Sequence, residues 1–248
     1  KLDAFLKELA PQATMFGHQD DMAYGMGWNG LYDESDIKRV TGSYPAVFGW
    51  DLGHIGNPAN IDNVPFDSIR SYIIHANELG GVNTISYHPF LPDNSRNAWM
   101  VDKKIVPTIL PGGENHAAFV HQLDLIADFL NSLVDKNGTK IPVIFRPWHE
   151  MDGKWFWWGE THCTTDEFKT LFRFTIDYLR KTKGIRNILV GYSPDRNFYT
   201  VDEYYKYYPG DEYVDLLGID NYWDLGTEEP NIEKAIMKLE IIVNEAKK

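Results

Sequence analysis

The chain has 248 residues, of which 43% are hydrophobic and 24% charged, and these proportions exclude wholesale disorder. Its formal net charge of -12 argues against a nucleic-acid partner, because such proteins need a basic surface to displace counterions. No apolar run approaches the ~18 residues of a membrane span, so we expect no membrane insertion, and a single cysteine, Cys163, excludes an internal disulfide.

Short apolar runs alternate along the chain with longer segments of helical period. Six runs predict strands: Met15–Gly17, Ala46–Trp50, Val82–Tyr87, Pro142–Arg146, Ile188–Tyr192 and Leu216–Asp220. Near-continuous apolar runs of this length are typical of strands buried on both faces of a parallel sheet. Apolar residues at steps of three and four predict helices over 66–76, 119–133, 168–179 and 232–246. Thr164 and Glu167 form a plausible capping box before the third of these helices.

Alternation of strands and helices without a linker predicts an α/β fold with a parallel sheet. A doubly wound sheet would carry a glycine-rich phosphate turn after its first strand, and Gly17-His18-Gln19-Asp20 is not one. The sequence therefore favours a (β/α)8 TIM barrel, in which active groups follow the carboxyl ends of the strands. Six βα units are identifiable, so we expect residues 1–248 to form a single catalytic barrel domain whose C-terminal part is missing from this chain.

Polar groups follow the carboxyl end of every predicted strand. In chain order they are His18-Gln19-Asp20-Asp21, Asp51, His88, Arg146-Pro147-Trp148-His149-Glu150, Ser193-Pro194-Asp195 and Asp220-Asn221-Tyr222-Trp223. The groups at the first three ends, together with His54, could also be read as a metal cluster. Neither a His-x-His pair nor a His-Glu-x-x-His spacing occurs, so we expect no metal and no cofactor, and prefer hydrogen bonds that shape a binding subsite.

The most informative segment is Phe-Arg-Pro-Trp-His-Glu-Met-Asp-Gly-Lys-Trp-Phe-Trp-Trp-Gly, at 145–159. Glu150 stands just past a predicted buried strand, near Arg146 and several tryptophans. Burial of a carboxyl group among indole rings raises its pKa towards that of a general acid. The alternative is a structural ion pair of Arg146 with Glu150 under an aromatic lid. The residues alone leave both interpretations open. They also leave two for the tryptophans, which form either a local cluster or a platform for a flat ligand face.

This segment resembles the signature of glycoside hydrolase family 26, whose best-known members are β-mannanases. Three further stretches are similar to that family's first, second and sixth strands: Phe16-Gly17-His18-Gln19, Pro45–Asp51 and Ile219-Asp220-Asn221-Tyr222. The resemblance covers nearly the whole chain. It implies a retaining hydrolase on a (β/α)8 barrel that acts on a polysaccharide or oligosaccharide substrate such as mannan.

The resemblance also implies roles for individual residues. Glu150 would be the acid/base, and His149 would orient the nucleophile. Trp155 would form the sugar platform beside the cleaved bond, and Tyr222 would contact the nucleophile and the bound sugar. His88 would contact the sugar on the non-reducing side of that bond. Arg146 is included among the residues expected to bind substrate.

The nucleophile of this family is a glutamate at the end of the seventh strand. Retaining chemistry needs two carboxyl groups ~5–5.5 Å apart across the sugar. Glu160, Glu228 and Glu229 are the nearby alternatives, but each lies in a predicted loop. We therefore expect the nucleophile beyond Lys248.

Three alternatives remain at this point. One is another activity of the same family, on β-1,3-xylan or mixed-linkage β-glucan. A second is a carbohydrate-binding barrel without turnover, and a third is a metal-dependent hydrolase. Because a polysaccharide does not cross membranes, we expect an extracellular, periplasmic or cell-surface protein, although no leader is visible at Lys1-Leu2-Asp3.

Overall fold

The structure is a computed structural model that describes residues 1–31, 33–91, 97–226 and 230–248. The strands are β1 Gly17–Gln19, β2 Tyr24–Gly25, β3 Trp28–Asn29, β4 Val47–Asp51, β5 Val82–Ser86, β6 Val143–Arg146, β7 Ile188–Tyr192 and β8 Leu216–Leu217. The α-helices are α1 Leu2–Leu9, α2 Asp36–Thr41, α3 Phe66–Glu78, α4 Val106–Ile109, α5 His116–Ser132, α6 Thr165–Asp177, α7 Val201–Tyr204 and α8 Ile232–Glu245. A π-helical turn, Tyr178–Thr182, continues α6.

The main sheet has the strand order β1-β4-β5-β6-β7-β8, and β2 and β3 form a separate antiparallel pair. Strand β4 pairs in parallel with β1 and with β5, so that Val47 lies beside both Gly17 and Val82. Strand β7 pairs in parallel with β8. The predicted alternation of parallel strands and helices is thereby confirmed.

The chain divides into two compact units. The first unit comprises Lys1–His88, Asp124–Phe145 and Ile185–Leu189, and the second comprises Pro89–Leu123, Arg146–Gly184 and Val190–Lys248. In the first unit, Phe48, Trp50, Ile69 and Ile85 are completely buried and join β4 and β5 to α3. The second unit has its own buried core, which includes Trp148, Leu171, Phe172 and Val190. The prediction of one catalytic domain over residues 1–248 stays a prediction.

All four predicted helices are present, as α3, α5, α6 and α8. The Thr164–Glu167 capping box is confirmed, with the Glu167 amide donating to Thr164 Oγ1 at 3.2 Å and the Thr164 amide donating to Glu167 Oε2 at 2.7 Å. Five of the six predicted strands differ in their bounds from the observed ones, three of them by one residue at one or both ends and two by more. Strand β1 spans Gly17–Gln19 instead of the predicted Met15–Gly17, because its pairing with β4 starts at Gly17, opposite Val47.

The sixth predicted strand is the second that differs by more than one residue, because its ladder covers only Leu216 and Leu217. The neighbouring strand, β7, ends at Tyr192 and is followed two residues later by Pro194. Proline has no N–H group to donate to the ladder, so the pairing stops there. Pairing resumes for a single bridge between Asp195 and Asp220. The break leaves Asp220 and the residues after it in an irregular turn.

Candidate active site

The loop that follows β6 places Glu150 by main-chain contacts within the second unit. The Glu150 amide donates to the Ser193 carbonyl at 2.8 Å, and the Gly153 amide donates to the Glu150 carbonyl at 3.0 Å. Trp148 and Glu150 have φ values of 57° and 54°, in the left-handed region that non-glycine residues rarely adopt. A strained backbone held by fixed contacts on both sides is typical of residues at functional sites.

The carboxyl group of Glu150 is largely buried, since the residue is 9% exposed. Trp155 donates its indole Nε1–H to Glu150 Oε2 at 2.6 Å. Burial, together with the negative charges of Asp220 and Asp195, raises the pKa of Glu150 to about 7, against the lowering effects of the Trp155 hydrogen bond and Arg146. A carboxyl group with this pKa can both donate and accept a proton near neutral pH.

Trp155 differs from the three tryptophans around it. It is 37% exposed, whereas Trp148, Trp157 and Trp158 are at most 1% exposed. Those three pack edge to face, with ring centroids 5.2 to 5.6 Å apart. The cluster interpretation therefore holds for these three tryptophans. Trp155 is accessible, and its interpretation as a platform stays a prediction.

Arg146 lies at the end of β6 and forms its ion pair with Asp220, with Nη1 2.7 Å from Asp220 Oδ2. Ser193 Oγ donates to the same oxygen at 2.7 Å. The structural ion pair considered for Arg146 and Glu150 is therefore made with Asp220. Arg146 remains electrostatically close to Glu150, since its charge lowers the pKa of that carboxyl group.

Tyr222 and His149 complete the predicted residues of the second unit. Tyr222 is 73% exposed as a residue. Partial burial of its hydroxyl group, followed by the charges of Asp220 and Glu150, raises the pKa of that group. His149 is 3% exposed, and its ring packs edge to face on Phe156 with centroids 5.3 Å apart. The structure thus brings Glu150, Trp155, Tyr222 and Arg146 into one polar cluster, and holds His149 in the aromatic layer beside it.

His88 lies in the first unit, two residues after β5. Its Nδ1 is 2.7 Å from Asp51 Oδ2, at the end of β4. The Ser86 hydroxyl and the Gly53 amide also donate to the Asp51 carboxylate, each at 2.5 Å. Burial would raise the pKa of Asp51, but His88 and these donors outweigh it and lower the pKa. Asp51 therefore orients the His88 ring.

Sequence reasoning missed the carboxyl group of Asp152 and did not predict the burial of Asp20. Burial is the largest cause that raises the pKa of Asp152, in the second unit, to about 7, although its oxygens accept from the amides of Asp195 at 2.6 Å and Asn197 at 3.2 Å. Burial likewise raises the pKa of Asp20, in the first unit, to about 7 beside the Tyr24 hydroxyl. Asp20 was noted as a strand-end residue, but neither burial nor pairing with a distant amide has a signal in the sequence.

Three glutamates, Glu160, Glu228 and Glu229, were the nearby alternatives for the nucleophile. Glu160 Oε1 forms an ion pair with Lys206 Nζ at 3.1 Å. Glu228 and Glu229 lie outside the described residues. Within the described ranges, no group of three or more His, Cys, Asp and Glu side chains is arranged to hold a metal ion.

A carboxyl group of raised pKa just past a parallel strand, beside an accessible indole and an Arg–Asp pair, is an arrangement expected of a glycoside hydrolase with a (β/α) fold. Residues 1–245 match the profile of Glycosyl hydrolase family 26, and the chain belongs to that family. The family resemblance expected from the motif at 145–159 is confirmed.

Solved structures agree with this assignment. The chain superposes on a GH26 β-mannanase from Bacteroides ovatus with a TM-score of 0.94 and 42% identity, covering 99% of this chain and 72% of that one. A Cellulomonas fimi endo-β-1,4-mannanase double mutant gives a TM-score of 0.92 with 34% identity, covering 99% of this chain and 56% of that one. The predicted fold class, a (β/α)8 TIM barrel with six βα units present, is confirmed.

Curated relatives carry the same activity in their names. A mannan endo-1,4-β-mannosidase from Bifidobacterium adolescentis is 38% identical over 76% of this chain and 20% of its own length. One from Bacillus subtilis is 31% identical over 84% of this chain and 58% of its own length. The chain thus spans less than two thirds of either relative. Separately, none of the helices within the described ranges is both long and apolar enough to cross a membrane.

Proposed function

We propose that the protein is a retaining glycoside hydrolase that cleaves β-1,4-mannosidic linkages in mannans by double displacement. The observation that carries the proposal is the buried Glu150 carboxyl group with its pKa raised to about 7 and its Trp155 hydrogen bond. The names of the relatives support mannan as the substrate.

Glu150 acts as the general acid and then as the general base. Protonated Glu150 donates its proton to the departing glycosidic oxygen while a carboxylate attacks the anomeric carbon. The glycosyl–enzyme intermediate is then hydrolysed by water, from which Glu150 removes a proton. A pKa near 7 suits both steps, since neither protonation state is costly at neutral pH.

The remaining predicted residues bind and orient the sugar in this proposal. Trp155 offers an apolar ring surface to the C–H face of a mannosyl unit, and Arg146 and Tyr222 offer polar groups to its hydroxyls. His88, in the first unit, keeps the role that the family resemblance implies, a contact to the sugar on the non-reducing side of the cleaved bond. His149 orients the nucleophile, which is the glutamate expected beyond Lys248. The protein acts outside the cytoplasm, at the cell surface, in the periplasm or as a secreted enzyme, because mannan does not cross membranes.

The first experiment uses protein that includes the expected nucleophile, and compares the wild type with Glu150→Ala on mannan, β-1,3-xylan and mixed-linkage β-glucan. We expect wild-type cleavage of mannan and loss of ~10²-fold or more in the variant, with mannan binding retained. Added azide should restore turnover of an activated mannoside by Glu150→Ala, because azide needs no base to attack the glycosyl–enzyme. An active Glu150→Ala protein would remove Glu150 from the mechanism.

The other outcomes select among the alternatives. Cleavage of xylan or glucan in place of mannan would favour one of the other activities of the same family, on β-1,3-xylan or mixed-linkage β-glucan. Binding of mannan without cleavage by the wild type would favour a carbohydrate-binding barrel. A 2-deoxy-2-fluoromannosyl inhibitor should label the nucleophile for peptide mapping, and a label on any residue of 1–248 would contradict its expected position.

A further inference from the structure

Helix α8 carries a lysine whose charged group is buried against the turn that holds Tyr222. Lys238 is 0% exposed, and its Nζ lies 2.5 Å from Oδ2 of Asp224, which is 4% exposed. Burial of two charges is costly unless they are paired and hydrogen-bonded, so the geometry of such a pair is tightly constrained. The pair joins α8 to the turn after β8, within the second unit.

Asp224 organises that turn through its main chain as well as its carboxylate. Its amide donates to Asn221 Oδ1 at 3.1 Å, and Asn221 Nδ2 donates back to Asp224 Oδ2 at 3.2 Å. The Asn231 amide, at the start of α8, donates to the Asp224 carbonyl at 2.8 Å. The turn is therefore closed on itself and fixed to α8 at one residue.

A second cation supports the same residue. Arg196 Nη1 lies 3.7 Å from Asp224 Oδ1, and the Arg196 guanidinium lies over the Trp223 ring, 5.7 Å from its centroid. Arg196 therefore forms its ion pair with Asp224. The Asp195 carboxylate instead accepts from Asn197 Nδ2 at 2.8 Å.

Tyr222 itself contributes little to its own placement. It is 73% exposed, and its neighbour Trp223 is 70% exposed, so neither side chain is fixed by core packing. The turn is held instead at its two ends. Asp220 is bound by Arg146 and Ser193, and Asp224 is bound by Lys238.

We propose that Lys238 is a positioning residue that acts through Asp224 to hold Tyr222 beside the sugar bound next to Glu150. The presence of that sugar rests on the proposed function. The tether, by which we mean the link from Lys238 through Asp224 to the turn that carries Tyr222, does not depend on the proposed function. A structural measurement therefore tests it separately.

The decisive variant is the double substitution Asp224→Asn with Lys238→Met. Removal of Lys238 alone would leave Asp224 buried without its partner, and the protein would then risk failing to fold. The double variant removes both charges and keeps similar volumes, which is often neutral for stability. Lys234→Met is the matched control, since Lys234 is an exposed lysine on the same helix.

The first readout is a crystal structure of the full chain with and without the double substitution. We expect the Tyr222 hydroxyl to be displaced by about 1 Å or to lose a single position, a shift large enough to impair catalysis. A Tyr222 that keeps its wild-type position in the double variant would overturn the proposal, whatever the protein's activity.

The second readout is kinetic coupling on mannopentaose. We expect the double variant to lower kcat by roughly tenfold or more, and to lower it much less when Tyr222→Phe is already present, because both changes then remove one interaction. Lys234→Met should change kcat less than about twofold. Equal losses in both backgrounds would overturn action through Tyr222. A wild type that leaves mannan intact would refute the proposed function, and the crystal structures would still decide the tether.

Discussion

Glu150 experiences two opposing influences at the scale of a single residue. Burial and the nearby Asp220 disfavour its charged form, while the Trp155 hydrogen bond and Arg146 favour it. The balance raises the pKa to about 7. A carboxyl group that was fully solvated would be ionised at neutral pH and would be a poor acid.

Trp155→Phe should move the alkaline limb of the kcat/KM profile to higher pH. The substitution removes a hydrogen bond that stabilises the carboxylate, so the pKa of Glu150 rises further. The measurement is kcat/KM for mannopentaose between pH 4 and about 10, which reports the ionisations of the free enzyme.

Trp158→Phe is the matched control, because the Trp158 indole donates to the His149 carbonyl and not to a carboxylate. It should leave the position of that limb unchanged. A limb that moved to lower pH in Trp155→Phe would contradict the assignment of this hydrogen bond.

The raised pKa of Glu150 also has a cost in stability. A carboxyl group whose pKa is higher in the folded than in the unfolded protein destabilises the fold above the unfolded value, near 4.5, and the penalty is complete above about 7. Glu150→Gln should therefore increase the free energy of unfolding at pH 8 by about 1 to 3 kcal/mol, and should give no such gain at pH 4. Urea unfolding at the two pH values measures the difference.

Glu160→Gln serves as the control for that experiment, since it only breaks the partly exposed pair with Lys206. Its effect should stay below about 1 kcal/mol and should not favour the variant at pH 8. Equal stability of wild type and Glu150→Gln at pH 8 would mean that the carboxylate is well solvated in the folded protein.

At the scale of an element, the loop from Arg146 to Gly159 is held in shape by its glycines. The Glu160 amide donates to the Gly153 carbonyl at 2.8 Å, and a Cβ atom added at Gly153 would overlap the Trp155 indole ring. The loop brings Trp155 back onto Glu150, five residues earlier in the chain. The spacing of five residues between Glu150 and Trp155 is visible in the sequence. The close approach of the Trp155 ring to Gly153, which requires glycine there, is not.

Gly153→Ala should displace the Trp155 ring and lower kcat/KM for mannopentaose by roughly tenfold or more. A displacement of about 1 Å in a group that positions the substrate is enough to impair catalysis. The fluorescence of Trp155 should change as well. Gly218→Ala is the control, since its added methyl group would meet only ordinary contacts at 3.4 Å or more. Full activity of Gly153→Ala would show that the ring position is not critical.

At the scale of the whole molecule, the chain combines a formal charge of -12 with a cluster around Glu150 that contains the indole of Trp155 and the Arg146–Asp220 ion pair. An acidic protein can bind an uncharged polysaccharide without electrostatic attraction, since stacking on indole and hydrogen bonds to hydroxyls suffice. The carboxylates of Asp51 and Asp220 are occupied by His88 and Arg146.

Exhaustive treatment with EDTA should leave mannan hydrolysis unchanged, since proton transfer by Glu150 and attack by a carboxylate need no metal. The measurement is the rate of reducing-sugar release before and after chelation and after readdition of Zn²⁺, Ca²⁺ or Mg²⁺. Loss of activity that one of these ions restores would favour the metal-dependent hydrolase instead.

The sequence by itself determined the features that depend on local spacing. The alternation of apolar runs and amphipathic segments predicted the parallel strands and the four long helices. A strand buried on both faces leaves a short continuous apolar run, and a helix buried on one face leaves apolar residues at steps of three and four. The motif at 145–159 likewise identified Glu150 and Trp155, since a contact over five residues is made within one loop.

Only the tertiary structure decided the partners that lie far apart in the chain. Arg146 pairs with Asp220 across 74 residues, and His88 with Asp51 across 37. These contacts depend on which strand ends are neighbours in the sheet, and no periodic pattern records that order. The same holds for the pKa of Glu150 and the burial of Lys238, because the loss of solvent around a charge is a property of the packed fold.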